Sequence, residues 1–260
     1  MTRPPLLLAA ALAACAIGAA ARSQVGDAPP TTAESPRREW GYTGPTGPEH
    51  WAELSQEYGV CARGQQESPI DLKSAIGADL GALTTHWRSL PLRVVDTGHA
   101  LQVDAPPGSD MSVGGRSYAL AQFHVHHPSE HLLNGRRFPL EVHFVHRGPN
   151  GVLGVIGVFV EEGRANPQLQ RVLDARPAEH GRTRAVAGGT VDIAALMPGG
   201  AFERYEGSLT TPPCSESVDW VVKETPIQAS AAQIAGFERV YPFNARPLQA
   251  LNRRFLLRSR

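Results

Sequence analysis

The sequence has no long basic run, no internal repeat and only three cysteines. Its 260 residues carry 25 basic and 25 acidic side chains, so the formal net charge is zero and nucleic acid is not expected as a partner. The 26 glycines and 22 prolines are scattered without a period, which excludes collagen-like and low-complexity chains. Frequent glycine and proline between short apolar runs favour a protein of strands and turns.

The N-terminus has the features of an export signal. Arg3 precedes an apolar run over residues 6–14, which is shorter than the roughly 20 residues that a membrane helix needs. We therefore predict a signal peptide over residues 1–21, a flexible linker over residues 22–38 and one folded domain over residues 39–260.

Two cleavage sites fit this signal. An ordinary signal peptidase would cut near residues 19–21, whereas a lipoprotein signal would end before Cys15 and leave that cysteine lipidated. In both cases we expect an exported protein, located in the periplasm either free or anchored there by lipid.

Cys61 and Cys214 then remain as an even pair in an oxidising compartment. They either form a disulfide or stay as two unrelated buried thiols.

Short alternating apolar runs dominate the folded domain. They predict a mainly β (α+β) fold, in which a large, mostly antiparallel, twisted central sheet is accompanied by small peripheral helices. The run over residues 151–160 is apolar on both faces and is expected to be a central strand. Asn166 with Pro167, and Ser230, are typical helix starts. The predicted strands cover residues 92–95, 99–103, 117–126, 140–146, 152–160 and 218–222.

Histidine is concentrated in two neighbouring runs. Alternate residues of a strand share a face, so Gln122, His124 and His126 project together. Glu141 and His143 do the same on a second run, and the two runs are close enough in sequence to pair as an antiparallel hairpin. Three neutral imidazoles with an open fourth position suit catalytic zinc. Gln122 and Glu141 are placed to accept the other ring N–H of the histidines and so orient them.

The folded domain resembles the alpha-class carbonic anhydrases over nearly its whole length, and the order and spacing of the motifs agree. The matching motifs are Trp40-Gly41-Tyr42, Gly47-Pro48-Glu49-His50-Trp51, Ser68-Pro69-Ile70-Asp71, the run Gln122 to His126, Ser129-Glu130-His131, Glu141-Val142-His143 and the run Ser208 to Pro213. The resemblance implies a zinc enzyme that reversibly hydrates carbon dioxide to bicarbonate and a proton, by attack of zinc-bound hydroxide. Weak esterase activity is implied as a by-product.

The resemblance also implies roles for individual residues. His124, His126 and His143 match the zinc ligands, Thr210 matches the hydroxyl that accepts the proton of zinc-bound hydroxide, and Glu130 matches the carboxylate that orients that hydroxyl. The substrate-contacting residues, most of them in an apolar wall for carbon dioxide, are matched by Thr210, Thr211, Val145, Val155, Leu209, Val218 and Trp220.

A proton shuttle and a disulfide are implied in the same way. His99 matches the shuttle, and Tyr42, Thr97 and Gln102 fall where the family places a water network, although asparagine is usual at the last two positions. Secreted members carry a disulfide at the positions of Cys61 and Cys214. Cis peptide bonds are implied at Ser68–Pro69 and Pro212–Pro213. Further departures are Glu67 in place of glutamine, and His127 and Ala245 in place of tryptophan.

Two other classes of function compete with this interpretation. The spacing of His124, His126 and Glu130 imitates a first cupin motif, with Glu130 as a fourth metal ligand, but no second motif follows. A carbonic-anhydrase-like domain can also serve as a non-catalytic binding module, although here all the expected ligands are intact. The partners predicted are carbon dioxide and bicarbonate. A lipid anchor at Cys15 and a homodimer are left open.

Overall fold

A computed structural model describes residues 39–260, so the predicted signal peptide and linker, and the open question of a lipid at Cys15, lie outside the described residues. Within residues 39–260 strands predominate and helices are short, and the predicted mainly β fold is confirmed. In this part of the chain, none of the helices is both long and apolar enough to span a bilayer.

The strands are numbered in chain order. They are β1 Asp71–Leu72, β2 Ile76–Ala78, β3 Thr84–His86, β4 Leu90–Asp96, β5 Leu101–Asp104, β6 Asp110–Val113, β7 Arg116–His126, β8 Leu132–Leu133, β9 Leu140–Arg147, β10 Leu153–Glu162, β11 Thr183–Val191, β12 Phe202–Gly207, β13 Val218–Ala229 and β14 Leu257–Ser259. The α-helices are α1 Trp51–Leu54, α2 Val60–Arg63, α3 Pro167–Asp174 and α4 Ala231–Val240. Single 3-10 turns cover Gly44–Thr46, Pro48–His50, Gln56–Tyr58, Pro149–Gly151 and Ala194–Leu196.

Twelve of these strands form one sheet. Its main path runs β11-β4-β5-β7-β9-β10-β13-β12-β14-β2, and β6 and then β3 extend it beside β7. Most neighbours are antiparallel as predicted, but β10 pairs with β13 and β14 pairs with β2 in parallel. A parallel pair needs a long crossover, and the chain between β10 and β13 includes α3, β11 and β12. Strands β1 and β8 form a separate parallel pair.

Each face of the sheet packs against its own apolar cluster. Phe123 of β7 and Phe144 of β9 belong to the larger cluster, so the intervening residues of both strands point to the opposite face. Strand β10 contributes Ile156 to the larger cluster and Val155 to the smaller one. This strand lies between β9 and β13 and is apolar on both faces, as its sequence predicts.

The predicted strand over residues 99–103 starts later than expected, because a turn precedes β5. The N–H of Thr97 donates to the carbonyl of Ala100 at 3.1 Å, and Gly98 has a φ of +82°. The Thr97 hydroxyl accepts the N–H groups of His99 and Ala100 at 3.2 and 2.9 Å. This side chain therefore replaces the strand pairing that these N–H groups would otherwise make, and His99 lies in the turn just before β5 begins.

Both predicted helix starts are confirmed. The Asn166 side chain accepts the N–H groups of Gln168 and Leu169 at the start of α3. Ser230 and Gln233 form a capping box at the start of α4, in which each side chain accepts the backbone N–H of the other residue. These reciprocal bonds satisfy N–H groups that have no partner within the helix.

The two remaining cysteines are joined, so the disulfide prediction is confirmed and the alternative of two free thiols is wrong. Cys61 lies in α2 and Cys214 in the loop after β12, with Cα atoms 5.1 Å apart and a sequence separation of 153. The peptide bonds Ser68–Pro69 and Pro212–Pro213 are cis, as the resemblance implies. A third cis bond, His127–Pro128, was not predicted.

Candidate metal centre

Three histidine side chains converge between two neighbouring strands. In the antiparallel ladder of β7 and β9, His124 is the direct partner of His143, and His126 is the partner of Glu141. The Nε2 atoms of His124 and His126 are 3.0 Å apart, and one nitrogen from each of the three rings lies within 4.8 Å of the other two. Tetrahedral zinc with bonds of about 2.0–2.1 Å requires ligand nitrogens roughly 3.3 Å apart, so this spacing fits a single ion.

The opposite nitrogen of each ring has a hydrogen-bond partner. These pairs are His124 Nδ1 with Gln122 Oε1 at 2.8 Å, His143 Nε2 with Glu141 Oε1 at 2.8 Å, and His126 Nδ1 with the carbonyl oxygen of Asn244 at 2.7 Å. Each partner is an acceptor, so it holds the proton of a neutral imidazole on the nitrogen that faces it. The nitrogens that keep a free lone pair for a metal are His124 Nε2, His126 Nε2 and His143 Nδ1.

The surroundings keep all three imidazoles neutral. Burial lowers the pKa of His126 and His143 below the ordinary value, and it lowers that of His124 well below it. For His124, the positive charge that the other two rings could carry adds to the effect of burial. Because only a neutral imidazole has a free lone pair, the three rings are in the form that binds a metal cation.

Glu130 presents an unsatisfied carboxylate oxygen to the same point. Its Oε1 accepts the backbone N–H of Arg246 at 2.8 Å. Its buried Oε2 has no hydrogen-bond partner among residues 39–260 and lies 3.6 Å from His126 Nε2 and 3.9 Å from His143 Nδ1. A buried carboxylate oxygen without a partner, close to the free nitrogens of His126 and His143, is an arrangement that a cation stabilises, so the donor set fits a metal ion.

The protonation of Glu130 depends on its neighbours. Burial raises the pKa of this carboxyl to about 7, against the opposing effects of His143, the Arg246 N–H and the Thr210 hydroxyl. Thr210 is near enough to lower this pKa, although its hydroxyl is not in full hydrogen-bond geometry with Oε2. A bound divalent cation would add to these opposing effects, lower the pKa of Glu130 and keep its carboxylate ionised.

Glu141 connects the metal-facing histidines to a second buried histidine. Its Oε1 meets both His143 Nε2 and His131 Nδ1 at 2.8 Å, and its Oε2 accepts the backbone N–H groups of Glu130 and His131 at 2.9 Å. Burial alone would raise the pKa of Glu141, but His131 and His143 hold it well below its usual range. His131, Glu141 and His143 are also close enough together to hold a metal. Because their facing atoms are already hydrogen-bonded to one another, we interpret this group as a support for His143.

The predicted apolar wall lies beside the histidines. All five of its members are in the smaller apolar cluster of the sheet: Val145, Val155, Leu209, Val218 and Trp220. The Trp220 ring is 4.9 Å from the His143 ring between centroids, and its Nε1–H donates to the Ser208 carbonyl at 3.0 Å. That bond fixes the loop that carries Thr210, which is 5% exposed, and the half-buried Thr211.

The residue predicted to carry protons lies at the end of the turn before β5. The half-buried His99 ring stacks on Trp40 with centroids 3.6 Å apart and planes 10° from parallel, and Tyr42 approaches it edge-on at 6.5 Å. Burial lowers the pKa of His99, so the ring remains a proton acceptor at neutral pH.

Two residues predicted to join a water network also have protein partners. Thr97 donates its hydroxyl to the carbonyl of Ala100 at 3.1 Å. Gln102 is paired with His124 in the ladder of β5 and β7, but its amide donates to Asp104 at 2.6 Å. Tyr42 is the third residue predicted for this network. Its hydroxyl has no hydrogen-bond partner among residues 39–260.

Three contributors to the site were not predicted from the sequence. Asn244 orients His126 through its backbone carbonyl, and Arg246 binds Glu130 through its backbone N–H. His131 lies in a matching motif, yet its link from Glu141 to the hydroxyl of Tyr205, 2.6 Å from His131 Nε2, is visible only in the structure. A contact made by a backbone group cannot be predicted from the type of the residue. A buried histidine, in contrast, needs hydrogen-bond partners for its ring, and this requirement could have pointed to His131.

Comparison with known proteins agrees with this geometry. A family model for eukaryotic-type carbonic anhydrases matches residues 46–260. A carbonic anhydrase of Nostoc sp. is 42% identical over 226 residues, which cover 85% of this chain and 86% of the relative. A carbonic anhydrase of Pectobacterium carotovorum is 40% identical over 220 residues, covering 84% and 90%. A solved alpha-carbonic anhydrase of Thermovibrio ammonificans, in complex with the inhibitor sulfanilamide, superposes with a TM-score of 0.81 at 42% identity and covers 84% of this chain and 98% of that one.

The fold and the family model define the class as carbonic anhydrase. The chain belongs to the alpha carbonic anhydrase family and is a carbonic anhydrase enzyme, as the resemblance in its motifs predicts. The family's reaction is the hydration of carbon dioxide. The cupin alternative is wrong, because the family model spans the whole stretch that holds the histidines.

Proposed function

We propose that this protein hydrates carbon dioxide reversibly at a zinc ion held by His124, His126 and His143. The observation that carries the proposal is the convergence of three neutral ring nitrogens whose opposite nitrogens are all engaged by acceptors. Bound zinc supplies a Lewis acid that brings the pKa of a water molecule into the neutral range, a property established for carbonic anhydrases. Three imidazoles without a thiolate suit a catalytic site, because structural zinc sites are usually closed and rich in cysteine.

Thr210 and Glu130 are proposed to orient the nucleophile. An ionised Glu130 can only accept, so it draws the proton of the Thr210 hydroxyl toward Oε2. The oxygen of Thr210 is then left with lone pairs and accepts a hydrogen bond only from a reactant that still carries a proton. This fixes the direction of the reactive oxygen and discriminates against unprotonated anions. Arg246 holds the carboxylate in place through its backbone N–H.

The apolar wall is proposed to hold carbon dioxide. Val218 and Trp220 are almost fully buried, at 3% and 2% exposure, while Val145 and Leu209 are partly buried at the edge of the same cluster. A molecule without a net dipole gains from apolar contacts, and these side chains keep excess water from the reacting atoms. Thr211 continues the loop from Thr210 and is proposed to contact substrate as well.

His99 is proposed to carry the surplus proton to solvent. Burial lowers the pKa of this ring, so at neutral pH the neutral ring can accept a proton, and its half-buried position against Trp40 leaves part of the ring exposed to solvent for the release. Tyr42, whose ring centroid is 6.5 Å from that of His99, is proposed to order water along the path. Because Thr97 and Gln102 are bound to protein atoms, we propose that they support this path through the backbone of the turn and of β5 only.

We also propose that the protein is exported to the periplasm. The disulfide between Cys61 and Cys214 supports an oxidising compartment, since cytosolic thiols are kept reduced.

One experiment tests the catalytic proposal directly. The purified protein is loaded with one equivalent of zinc, its metal content is measured, and carbon dioxide hydration is followed by stopped-flow with a pH indicator. We expect hydration above the buffer rate that disappears when a chelator removes the metal and returns with zinc. A rate equal to buffer alone at full zinc occupancy would leave the non-catalytic binding module as the explanation.

A further inference from the structure

One buried amine lies outside the machinery described above. Only two of the 25 basic residues are lysines, Lys73 and Lys223. The Lys73 side chain is 66% exposed and pairs with Asp71 at 3.1 Å. Lys223 of β13 is 5% exposed, and no carboxylate among residues 39–260 lies within ion-pair distance of its Nζ. A buried lysine is rarely left without an acidic partner.

Burial favours the uncharged amine of Lys223, although its two contacts, a carbonyl oxygen and an aromatic ring, would both stabilise an ammonium. Its Nζ donates to the carbonyl of Gly200 at 2.5 Å and lies 5.8 Å from the centre of the Phe202 ring. Burial lowers the pKa of Lys223, and the adjacent Glu224 opposes this only in part. Glu224 is itself engaged by Arg258, with two bonds of 2.5 and 2.8 Å. An ammonium that is desolvated and unpaired loses its proton more readily than an exposed one.

The amine borders a cavity on the other side of the sheet from the histidines. Gly200 and Phe202, the two contacts of Nζ, both line a cavity of about 470 Å³. Phe202 belongs to the larger apolar cluster, whereas the proposed carbon dioxide wall belongs to the smaller cluster on the opposite face. The charged side chains in the lining are Lys223 and Arg260, and Arg260 donates to the carbonyl of Gly77 at 2.9 Å. The cavity therefore offers a positive side chain and no carboxylate side chain beside a reactive amine.

We propose that Lys223 is a carbamylation site, at which its amine reacts reversibly with carbon dioxide. The lone pair of Nζ forms a bond to the carbon of carbon dioxide, and one C=O π pair moves to oxygen. Nζ then releases one proton to water, so the products are a lysine carbamate and a proton, without any change in oxidation state. The charge at this position changes from neutral or positive to negative, and Arg260 is the cation available in the cavity to pair with it.

This site is separate from the proposed hydration chemistry. Carbamate formation requires dissolved carbon dioxide and an unprotonated amine, and it requires no zinc. The enzyme's own substrate is the reactant, so occupancy of the site reports the local carbon dioxide concentration. A negative group at Lys223 that pairs with Arg260 would tie β13 to the C-terminal strand β14 and to β2, because the Arg260 guanidinium is already bound to β2.

The two lysines provide an internal comparison for the test. The full protein is equilibrated with ¹³C-labelled bicarbonate and carbon dioxide at pH 7.5, carbamates are trapped with a trialkyloxonium reagent, and the labelled peptides are quantified by mass spectrometry. We expect labelling at Lys223 to exceed that at Lys73 at least about tenfold, because the buried, unpaired amine is unprotonated more often than the exposed, ion-paired one. Equal labelling of the two lysines, or labelling confined to Lys73 and the terminal amine, overturns the proposal.

Two variants separate this inference from the proposed function. Lys223→Met is expected to lose the label at this peptide, and Lys73→Met is expected to keep it there. If Lys223→Met does not fold, the ratio within the wild-type protein still decides. His143→Ala, which removes a proposed zinc ligand, is expected to keep the label at Lys223, because the reaction needs only dissolved carbon dioxide. Loss of the label in zinc-free His143→Ala would contradict an independent site.

Discussion

His124 of β7 and His143 of β9 are direct partners in the antiparallel ladder, and this one pairing creates the candidate metal centre. His126 shares the face of His124 because alternate residues of a strand point the same way. A shift of one residue in the pairing would turn one strand's histidines toward the opposite apolar cluster. The register of these two strands therefore determines whether the three nitrogens meet.

Removal of one ring should remove metal and activity together. His143→Ala deletes the nitrogen that faces His126 and also leaves Glu141 with one partner fewer. We expect zinc content near zero after dialysis and a hydration rate equal to that of buffer. His86→Ala serves as the matched control, because His86 is 76% exposed and paired only with Asp110. Full zinc occupancy in His143→Ala would exclude this residue as a ligand.

The hydroxyl of Thr210 should affect turnover without affecting metal. Thr210→Val keeps the shape of the side chain but cannot accept a hydrogen bond or donate to Glu130. We expect the hydration rate to fall about 100-fold, the effect typical of losing one positioned polar group at a reaction centre. Zinc content should stay at one per chain. Thr225→Val, at an exposed position of β13, is the control. Loss of zinc in Thr210→Val would mean that the threonine maintains the site and does not orient the reactant.

The dependence on buffer should reveal whether His99 carries protons. His99→Ala removes the ring that stacks on Trp40, and no other part of the predicted path. In dilute buffer we expect turnover to fall roughly tenfold or more, because proton release then becomes limiting. Added imidazole should restore the rate, since it can replace the missing side chain in solution. If the rate were independent of buffer in both proteins, His99 would be a structural residue of the turn.

Part of this site could be predicted because its interactions are local in sequence. Gln122 with His124, and Glu141 with His143, are each two residues apart on one strand, so alternation alone places them on one face. The strand β10 was predictable for a similar reason, because a run that is apolar on both faces has to be covered on both sides.

The remainder depends on contacts that no local pattern encodes. The carbonyl of Asn244 reaches His126 across 118 residues of sequence, and the N–H of Arg246 reaches Glu130 across 116. The parallel pairing of β10 with β13 depends on where a long crossover returns to the sheet. The resemblance places Thr97 and Gln102 near water, and it gives no sign that Thr97 also bonds to the carbonyl of Ala100 or that Gln102 bonds to Asp104.

The disulfide should stabilise the fold substantially. It closes a loop of 153 residues between α2 and the loop that follows Thr210. The chain-entropy model gives about 5 kcal/mol for a loop of this length, as an upper value. We expect the double variant Cys61→Ser with Cys214→Ser to unfold at lower denaturant concentration, with a free energy of unfolding reduced by up to that amount. The double variant is preferable to a single one because it leaves no free thiol. A change below about 1 kcal/mol would mean that the reduced, unfolded chain retains most of its compactness.

A buried histidine outside the metal centre should make the fold sensitive to acid. His146 is fully buried, its Nδ1 donates to the carbonyl of Phe144 at 2.9 Å, and its Nε2 accepts the Trp87 N–H at 3.3 Å. A second proton on this ring would sit on Nε2, which could then no longer accept the hydrogen bond from the N–H of Trp87. Burial accordingly lowers the pKa of His146 to about 4, against about 6.5 in an unfolded chain.

Between these two pKa values the unfolded chain binds more protons at this ring than the folded one, so the folded state loses stability as the pH falls. The contribution is fully present above pH 6.5 and is lost progressively down to about pH 4, amounting to about 3 kcal/mol. The free energy of unfolding, measured from pH 8 to pH 4, should fall less steeply for His146→Gln than for the wild type. The other histidines titrate alike in the two proteins, so the difference between the two slopes reports His146 alone. Equal slopes, or an imidazole signal of His146 that titrates near pH 6.5 in the folded protein, would contradict the assignment.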